Sequence, residues 1–297
     1  MPENAASTVL VIGEALMDIT EGPSGVVETP GGGPANIALG LGRRGIPVAL
    51  LTSLGHDERG DIIAAHLAGS GVRVLPASFR PGATSTARAT LDETGAATYA
   101  FDIDWALLDD ALDEHPAVVH TGSLAAFLAP GADSVQTILR AHPDAVVTFD
   151  PNIRPDLVGP ADDARATFEA IARRAWVVKL SDEDAAYLYP GLSVAEVTDE
   201  ILALGPELVA VTLGGEGAVL ATARDRATVP APRVDVVDTI GAGDTFMASL
   251  LAEPVIRARV PLTRQDLAAI GARAVAAAAI TVSRAGADLP WSHELDA

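Results

Sequence analysis

From Val48 onward, short apolar runs rich in β-branched residues alternate with helix-like stretches, and few folds can accommodate that alternation. The strand-like runs are Val48–Thr52, Val72–Leu75, Ala117–His120, Ala145–Phe149, Trp176–Leu180 and Leu208–Thr212. Helix-like stretches lie between most of them, among them Asp61–Ala68, Asp133–Ala141, Asp162–Arg173 and Glu183–Leu188. Ahead of this series, Thr8–Ile12, closed by Gly13, has the pattern of a buried strand. Strands separated by helices predict an α/β fold of three layers around a doubly wound, mainly parallel sheet.

One part of the chain departs from the rhythm. Leu16–Thr20 alternates like an exposed strand, and Thr84–Leu91 and Ala96–Phe101 alternate on either side of Asp92-Glu93-Thr94-Gly95, the pattern of a hairpin. With Leu16–Glu28, this hairpin predicts a small separate β-sheet, a lid formed by about residues 14–30 and 76–103. No linker divides the chain, so residues 1–297 are expected to form one domain.

Composition excludes several function classes. Twenty basic against forty acidic residues give a formal charge of −20, which repels nucleic acid and anionic membranes. With no cysteine there is no disulfide, thiolate chemistry or cysteine-based zinc site. The N-terminus lacks a secretory pattern, and no uninterrupted apolar segment approaches the roughly 18–20 residues of a membrane span. A soluble, cytoplasmic protein with neither nucleic-acid nor membrane partners is expected.

Two glycine-rich turns open onto helical patterns, at Gly31-Gly32-Gly33-Pro34-Ala35-Asn36 and at Gly241-Ala242-Gly243-Asp244. The free amides and dipole of a helix start attract anions, phosphate included. A carboxylate placed there, such as Asp244, can take a proton from a hydroxyl beside that phosphate; as an isolated stretch, it reads more economically as a helix N-cap. Asn36 can donate to and accept from a hydroxyl, or serve the turn. Asp18 follows a core strand, where α/β sheets bind ligands, or is a solvated loop carboxylate. Polar clusters end other strands, at His120–Ser123, Asp150–Arg154, Lys179–Asp184 and Thr212–Gly217, and together they suggest one active-site edge. A buried, satisfied His120 is a better reading than a metal ligand. Gly40-Leu-Gly42-Arg-Arg-Gly45 has dinucleotide-binding spacing but ends a helix, so it is rejected. No P-loop exists, Lys179 is the only lysine, and no G-x-S-x-G elbow supports a hydrolase.

These two turns, about 200 residues apart, resemble the two signatures of the ribokinase-like (PfkB) sugar kinases. The likeness runs from Val9 to about Pro290 and includes F-D-P-N-I-R at 149–154, K-L-S-D-E-D at 179–184, T-L-G-G-E-G at 212–217 and V-S-R-A-G-A at 282–287. Within the family the set looks most like bacterial fructokinases. The resemblance implies a ribokinase-like fold with ATP and Mg²⁺ as cofactors and a free sugar as substrate. It casts Asp244 as the base and the amides of Gly241, Ala242 and Gly243 as the anion hole. Asp18, Gly32, Gly33 and Asn36 match positions that hold sugar hydroxyls, and Arg154 matches a basic position near the substrate. Thr212, Gly214 and Gly217 match the nucleotide turn, with Gly243 beside it. Asp238, with the backbone around Ile240 and Gly286, matches a monovalent-cation (K⁺) site. Asp184 stands where many relatives carry Glu, and implies a water-mediated Mg²⁺ contact. No Asn or His stands near Val275, so adenine contacts there are expected to be apolar or main-chain. The expected reaction is phosphorylation of a primary hydroxyl, with fructose first and 2-keto-3-deoxygluconate, ribose or a nucleoside as alternatives. A non-catalytic sugar- or nucleotide-binding regulator is the alternative from another class, with a nicotinamide oxidoreductase more distant. The lid edge offers a surface for a homodimer.

Overall fold

Most of the apolar runs are strands buried on both faces, which is why they read as continuous rather than alternating; the edge strand Val72–Val74, with Arg73 exposed, is the exception. A computed structural model describes residues 9–22, 25–91, 97–107 and 114–295. Among these residues the main sheet has nine strands. In spatial order they are Arg226–Val229, Ala218–Ala221, Leu208–Thr212, Val177–Ser181, Val146–Asp150, Val118–Gly122, Val9–Ile12, Val48–Leu51 and Val72–Val74. The seven from Leu208–Thr212 to Val72–Val74 run parallel, and the first two add an antiparallel edge. Strand Val9–Ile12 lies inside the sheet, between Val118–Gly122 and Val48–Leu51.

Alternate residues of one strand feed two cores. Val9 and Val11 join a layer with helices Gly33–Arg43, Ala242–Ala252 and Arg264–Val282. Leu10 and Ile12 join the opposite layer with helices Gly131–Ala141, Ala161–Ala172 and Val194–Leu204. Burial of a large apolar side chain such as Phe149 or Phe168, both 0% exposed, contributes about 1.5–3 kcal/mol. This is the three-layer, doubly wound architecture expected from the alternation. Helix Arg264–Val282 is long and apolar enough by length and composition to cross a membrane. Here its Leu267, Ile270, Ala274 and Val275 are buried in the first layer, and Gly271 leaves room for Leu220 and Val229.

A four-stranded sheet stands apart from the main one, in the order Gly25–Gly31, Leu16–Gly22, Thr86–Leu91, Ala97–Asp102. The expected hairpin is present as the antiparallel pair Thr86–Leu91 and Ala97–Asp102; residues 92–96 of its turn lie outside the described residues. Asp57 holds the approach to this sheet: its carboxylate accepts from Gly60 N at the start of helix Glu58–Gly69 and from Thr84 N and Oγ1, all within 2.8 Å. Pro76–Ser78 make a short helical turn, and Phe79–Arg80 pair with Leu54–Gly55 in a third, two-stranded sheet rather than in the four-stranded one.

Candidate active site

The two glycine turns place two helix starts against each other. Gly32 precedes helix Gly33–Arg43 at φ 105°, and a Cβ there would meet Glu14 O at 2.5 Å, so only glycine fits. Gly241 precedes helix Ala242–Ala252 in the left-handed conformation at φ 78°. Glycine is therefore the cap, and Asp244 is not: its carboxylate stands in the first turn, buried, with no capping bond. Its partner comes from the other helix. Asn36 Nδ2 donates to Asp244 Oδ2 at 2.8 Å, across 208 residues of sequence. A Cβ at Gly33 would lie 3.4 Å from Asp244 Oδ1 and 2.9 Å from Asn152 Nδ2, so the first helix start needs glycine to approach so closely. Burial pushes the Asp244 carboxyl up, and the Asn36 hydrogen bond, Lys179 and Arg154 pull it back. Of the expected anion-hole amides, Ala242 N makes a long 3.3 Å bond to Thr239 O; those of Gly241 and Gly243 have no main-chain acceptor among the described residues.

A cavity of about 1040 Å³ opens at this point, large enough for two ligands end to end. At one end Asp18, Gly32, Gly33, Asn36 and Arg154, the residues that the family resemblance links to the sugar, line it together. Asp18 reaches it from the small sheet, on strand Leu16–Gly22, with its carboxylate packed on Gly31. Burial raises the Asp18 carboxyl to about 6, against the pull of Arg154 and with the push of Asp244. Arg154 is exposed and donates to Asn152 Oδ1 at 2.8 Å. Glu14, Ser123 and Asn152 also line this end; the sequence set Ser123 and Asn152 in strand-end clusters without an individual role and marked Glu14 in no way. Glu14 Oε2 accepts from Ala125 N at 3.0 Å, and burial raises this carboxyl to about 7. Ser123 and Asn152 hold positive φ of 53° and 37°, a strain that tends to gather at functional sites. A polar residue just past an apolar run was the only sequence signal for either.

At the other end lie Thr212, Gly214 and Gly217, the turn between antiparallel strands Leu208–Thr212 and Ala218–Ala221. Val234, Val236, Ile240, Val275, Ala279 and Val282 supply apolar walls, in keeping with the absence of Asn or His near Val275. Asp184 also lines the cavity, but both its oxygens are engaged: Oδ1 accepts from Ile153 N at 2.7 Å and Oδ2 from Ser181 N at 2.9 Å. Asp238 is similarly occupied, by the amides of Ile240 at 3.0 Å and Gly286 at 2.9 Å. No cluster of three or more His, Cys, Asp or Glu suited to a metal occurs among the described residues.

Beneath the glycine turn is a group that the sequence displayed without explaining. Lys179 Nζ pairs with Asp150 Oδ2 at 2.9 Å, with side-chain exposures of only 5% and 2%. Next to them His120 is buried as expected, with Nδ1 2.9 Å from Thr148 Oγ1. It is not fully satisfied, because its Nε2 has no partner among the described residues. Burial and Lys179 lower the His120 imidazole to about 3, so it is neutral. The rejected glycine triplet does end a helix; Gly40 and Gly42 are contact points for Leu289 and for the Ser70 backbone.

The chain is similar to several known kinases. A fructokinase of Rhizobium leguminosarum bv. trifolii is 34% identical over 281 residues, which cover 90% of this chain and 85% of that protein. A fructokinase of Vibrio cholerae O395, solved with fructose, ADP and calcium, superposes with a TM-score of 0.82 at 26% identity, covering 96% of this chain and 95% of the other. The aminoimidazole riboside kinase of Salmonella enterica, solved with its riboside and an ATP analogue, gives 0.81 at 26% identity, covering 97% and 98%. The family model described as "pfkB family carbohydrate kinase" matches residues 6–294. With both signature turns converging on one buried carboxylate and that match spanning nearly its whole length, the chain belongs to the pfkB family of carbohydrate kinases.

Proposed function

We propose that this protein transfers the γ-phosphoryl group of ATP to a primary hydroxyl of a free sugar, fructose, giving fructose 6-phosphate. The observation that carries this reading is the Asn36–Asp244 hydrogen bond, which joins the two helix starts in the wall of the cavity. Asp244 takes the proton of the attacking hydroxyl, and Asn36 holds the carboxylate in place. The amides at Gly241 and Gly243, with the helix dipole behind them, face the charge that develops on the equatorial phosphoryl oxygens. Asp18, Gly32, Gly33, Asn36 and Arg154 bind the sugar; Thr212, Gly214, Gly217 and Gly243 bind the nucleotide. The small sheet, acting as a lid, excludes water that would otherwise accept the phosphoryl group. The likeness to the fructokinases of Rhizobium and Vibrio supports fructose. Two carboxyls, Glu14 and Asp18, against one arginine at the sugar end also favour a neutral substrate over an acidic one.

A magnesium ion bound with ATP would neutralise phosphate charge. Mg²⁺ keeps several of its waters, so Asp184, whose oxygens already accept two amides, fits a contact through water rather than direct ligation. For a monovalent cation the fit is weaker, because amides rather than carbonyls of Ile240 and Gly286 face Asp238. A cytoplasmic location suits an enzyme that consumes ATP, and the exposed edge of the small sheet suits pairing with a second copy. A coupled ADP-release assay over fructose, ribose, 2-keto-3-deoxygluconate and aminoimidazole riboside tests the reading. Fructose should give the highest kcat/KM. A different leader would reassign the substrate within the family, and sugar or nucleotide binding without ADP would indicate a non-catalytic protein.

A further inference from the structure

Of the twenty basic residues in this chain, the single lysine is buried in the sheet at the floor of the cavity. It stands at the carboxyl end of strand Val177–Ser181, and Asp150 ends the neighbouring parallel strand Val146–Asp150. Its Nζ is packed against Gly243 so closely that a Cβ there would lie 2.9 Å away. Among the described residues Nζ makes one hydrogen bond, to Asp150 Oδ2, which leaves two of three N–H donors unused beside the glycine turn. Burial opposes its charge, but Asp150, Asp184 and Asp244 outweigh burial and hold the ammonium protonated. The other cationic side chains lining the cavity, Arg154 and Arg233, are exposed, Arg154 at the sugar end. A buried ion pair is a poor way to gain stability, since apolar residues of similar size do as well or better. This pair is also incomplete, for Asp150 Oδ1 has no partner among the described residues. A buried ammonium with spare donors, facing a turn made for anions, is the arrangement of a group awaiting an anion.

We propose that Lys179 is a further catalytic residue, whose ammonium forms the floor of the anion hole and contacts the phosphoryl group in flight, with Asp150 as the positioning residue that holds it there. The inference rests on the phosphoryl-transfer reading above. In transfer, the bond between the γ-phosphorus and its bridging oxygen breaks and its electron pair leaves with ADP. The new bond forms to the sugar oxygen, and that oxygen's proton goes to Asp244. Lys179 exchanges no proton; it neutralises charge on the equatorial oxygens opposite the Gly241 and Gly243 amides. A chain without a P-loop thereby gains a phosphate-facing lysine from the core of its sheet.

One lysine and no cysteine make the test clean. Lys179→Met and Lys179→Cys are assayed for ADP release beside the wild type, and the cysteine variant is then aminoethylated to restore an ammonium. Loss of a transition-state donor typically costs about 10²–10³ in kcat. We expect a fall of that size in both variants, with sugar KM changed less than threefold, and at least tenfold recovery on aminoethylation. Asp150→Asn should lower kcat with the lysine still present. In wild-type protein labelled with ¹⁵N-lysine, the single Nζ resonance should move on adding ADP with aluminium fluoride and sugar, and stay in place with AMP and sugar. That measurement stands even where a variant does not fold. Wild-type turnover retained by Lys179→Met, or an unmoved resonance, overturns the inference alone. No turnover by the wild type on any sugar removes the reading and the inference together.

Discussion

At the scale of single residues, the site trades stability for chemistry. Asp244 is buried in the first turn of a helix with its carboxyl raised by burial, so its charged form weakens the fold at neutral pH. In Asp244→Asn the amide oxygen can keep the Asn36 bond and no charge is buried. The variant should therefore unfold at higher denaturant than wild type at pH 7, while kcat falls at least about 10²-fold. Near-normal turnover would refute its role as base. Glu14 offers a pH test. Its carboxyl is raised from 4.5 to about 7, so the folded state holds its proton more tightly than the unfolded state. The stability it contributes is full below pH 4.5 and is lost as pH rises to 7, an effect of up to about 3 kcal/mol. Urea midpoints of wild type and Glu14→Gln should converge at low pH and separate toward pH 7, with the variant the more stable; parallel curves would show that Glu14 does not titrate there.

At the scale of elements, the Gly-Ala-Gly turn contains two glycines required for different reasons. Gly241 needs its positive φ, and a Cβ there would strike Ala287 Cβ at 2.8 Å and Ala287 Cα at 2.9 Å. Gly241→Ala should destabilise by about 1–3 kcal/mol through backbone strain. Gly243 lies within the helix without a positive φ, and its Cβ would meet only Lys179. Gly243→Ala should leave stability unchanged or improve it by up to about 1 kcal/mol, since alanine favours helix. Its kcat should fall all the same, because the ammonium must move. Thermal unfolding and ADP release on the two variants separate these effects, and equal loss of stability in both would refute the distinction.

At the scale of the whole molecule, the small sheet is joined to the body by an exposed bidentate pair, with Arg59 donating to Glu28 at 2.8 and 2.5 Å. Its edge strand Gly25–Gly31 leaves Val26 and Val27 exposed at 60% and 58%. The proposed pairing of a second copy on this apolar edge would bring together two chains that each carry a formal charge of −20. Association through this edge should therefore strengthen as salt screens that repulsion, over a Debye length of about 10 Å at 0.1 M. Sedimentation at low and high salt is expected to show a dimer that grows with salt and is lost in Val26→Asp/Val27→Asp. A monomer at every salt concentration would remove the lid dimer.

By itself the sequence determined what depends on neighbours along the chain. Apolar runs marked strands, the spacing of glycine and proline marked turns and helix starts, and two short signatures pointed to a kinase, because strand alternation, helix periodicity and turn conformation are local properties. The tertiary structure alone decided which groups meet. Asn36 and Asp244 are 208 residues apart, and only the packing of helix Gly33–Arg43 against Ala242–Ala252 brings them to 2.8 Å. Glycine, rather than Asp244, caps the second helix, because Gly241 can take the left-handed turn. Asp184 stands at the expected edge, yet both its oxygens are occupied: the Ser181 amide is a local capping-box contact three residues away, but the Ile153 amide comes from a neighbouring strand end, which no spacing in the sequence reports. Lys179 was visible as the lone lysine at the end of an apolar run. That it stands beneath Gly243 with Asp150 follows from strand order, because only the parallel pairing of Val146–Asp150 with Val177–Ser181 sets the two side chains together under the glycine turn.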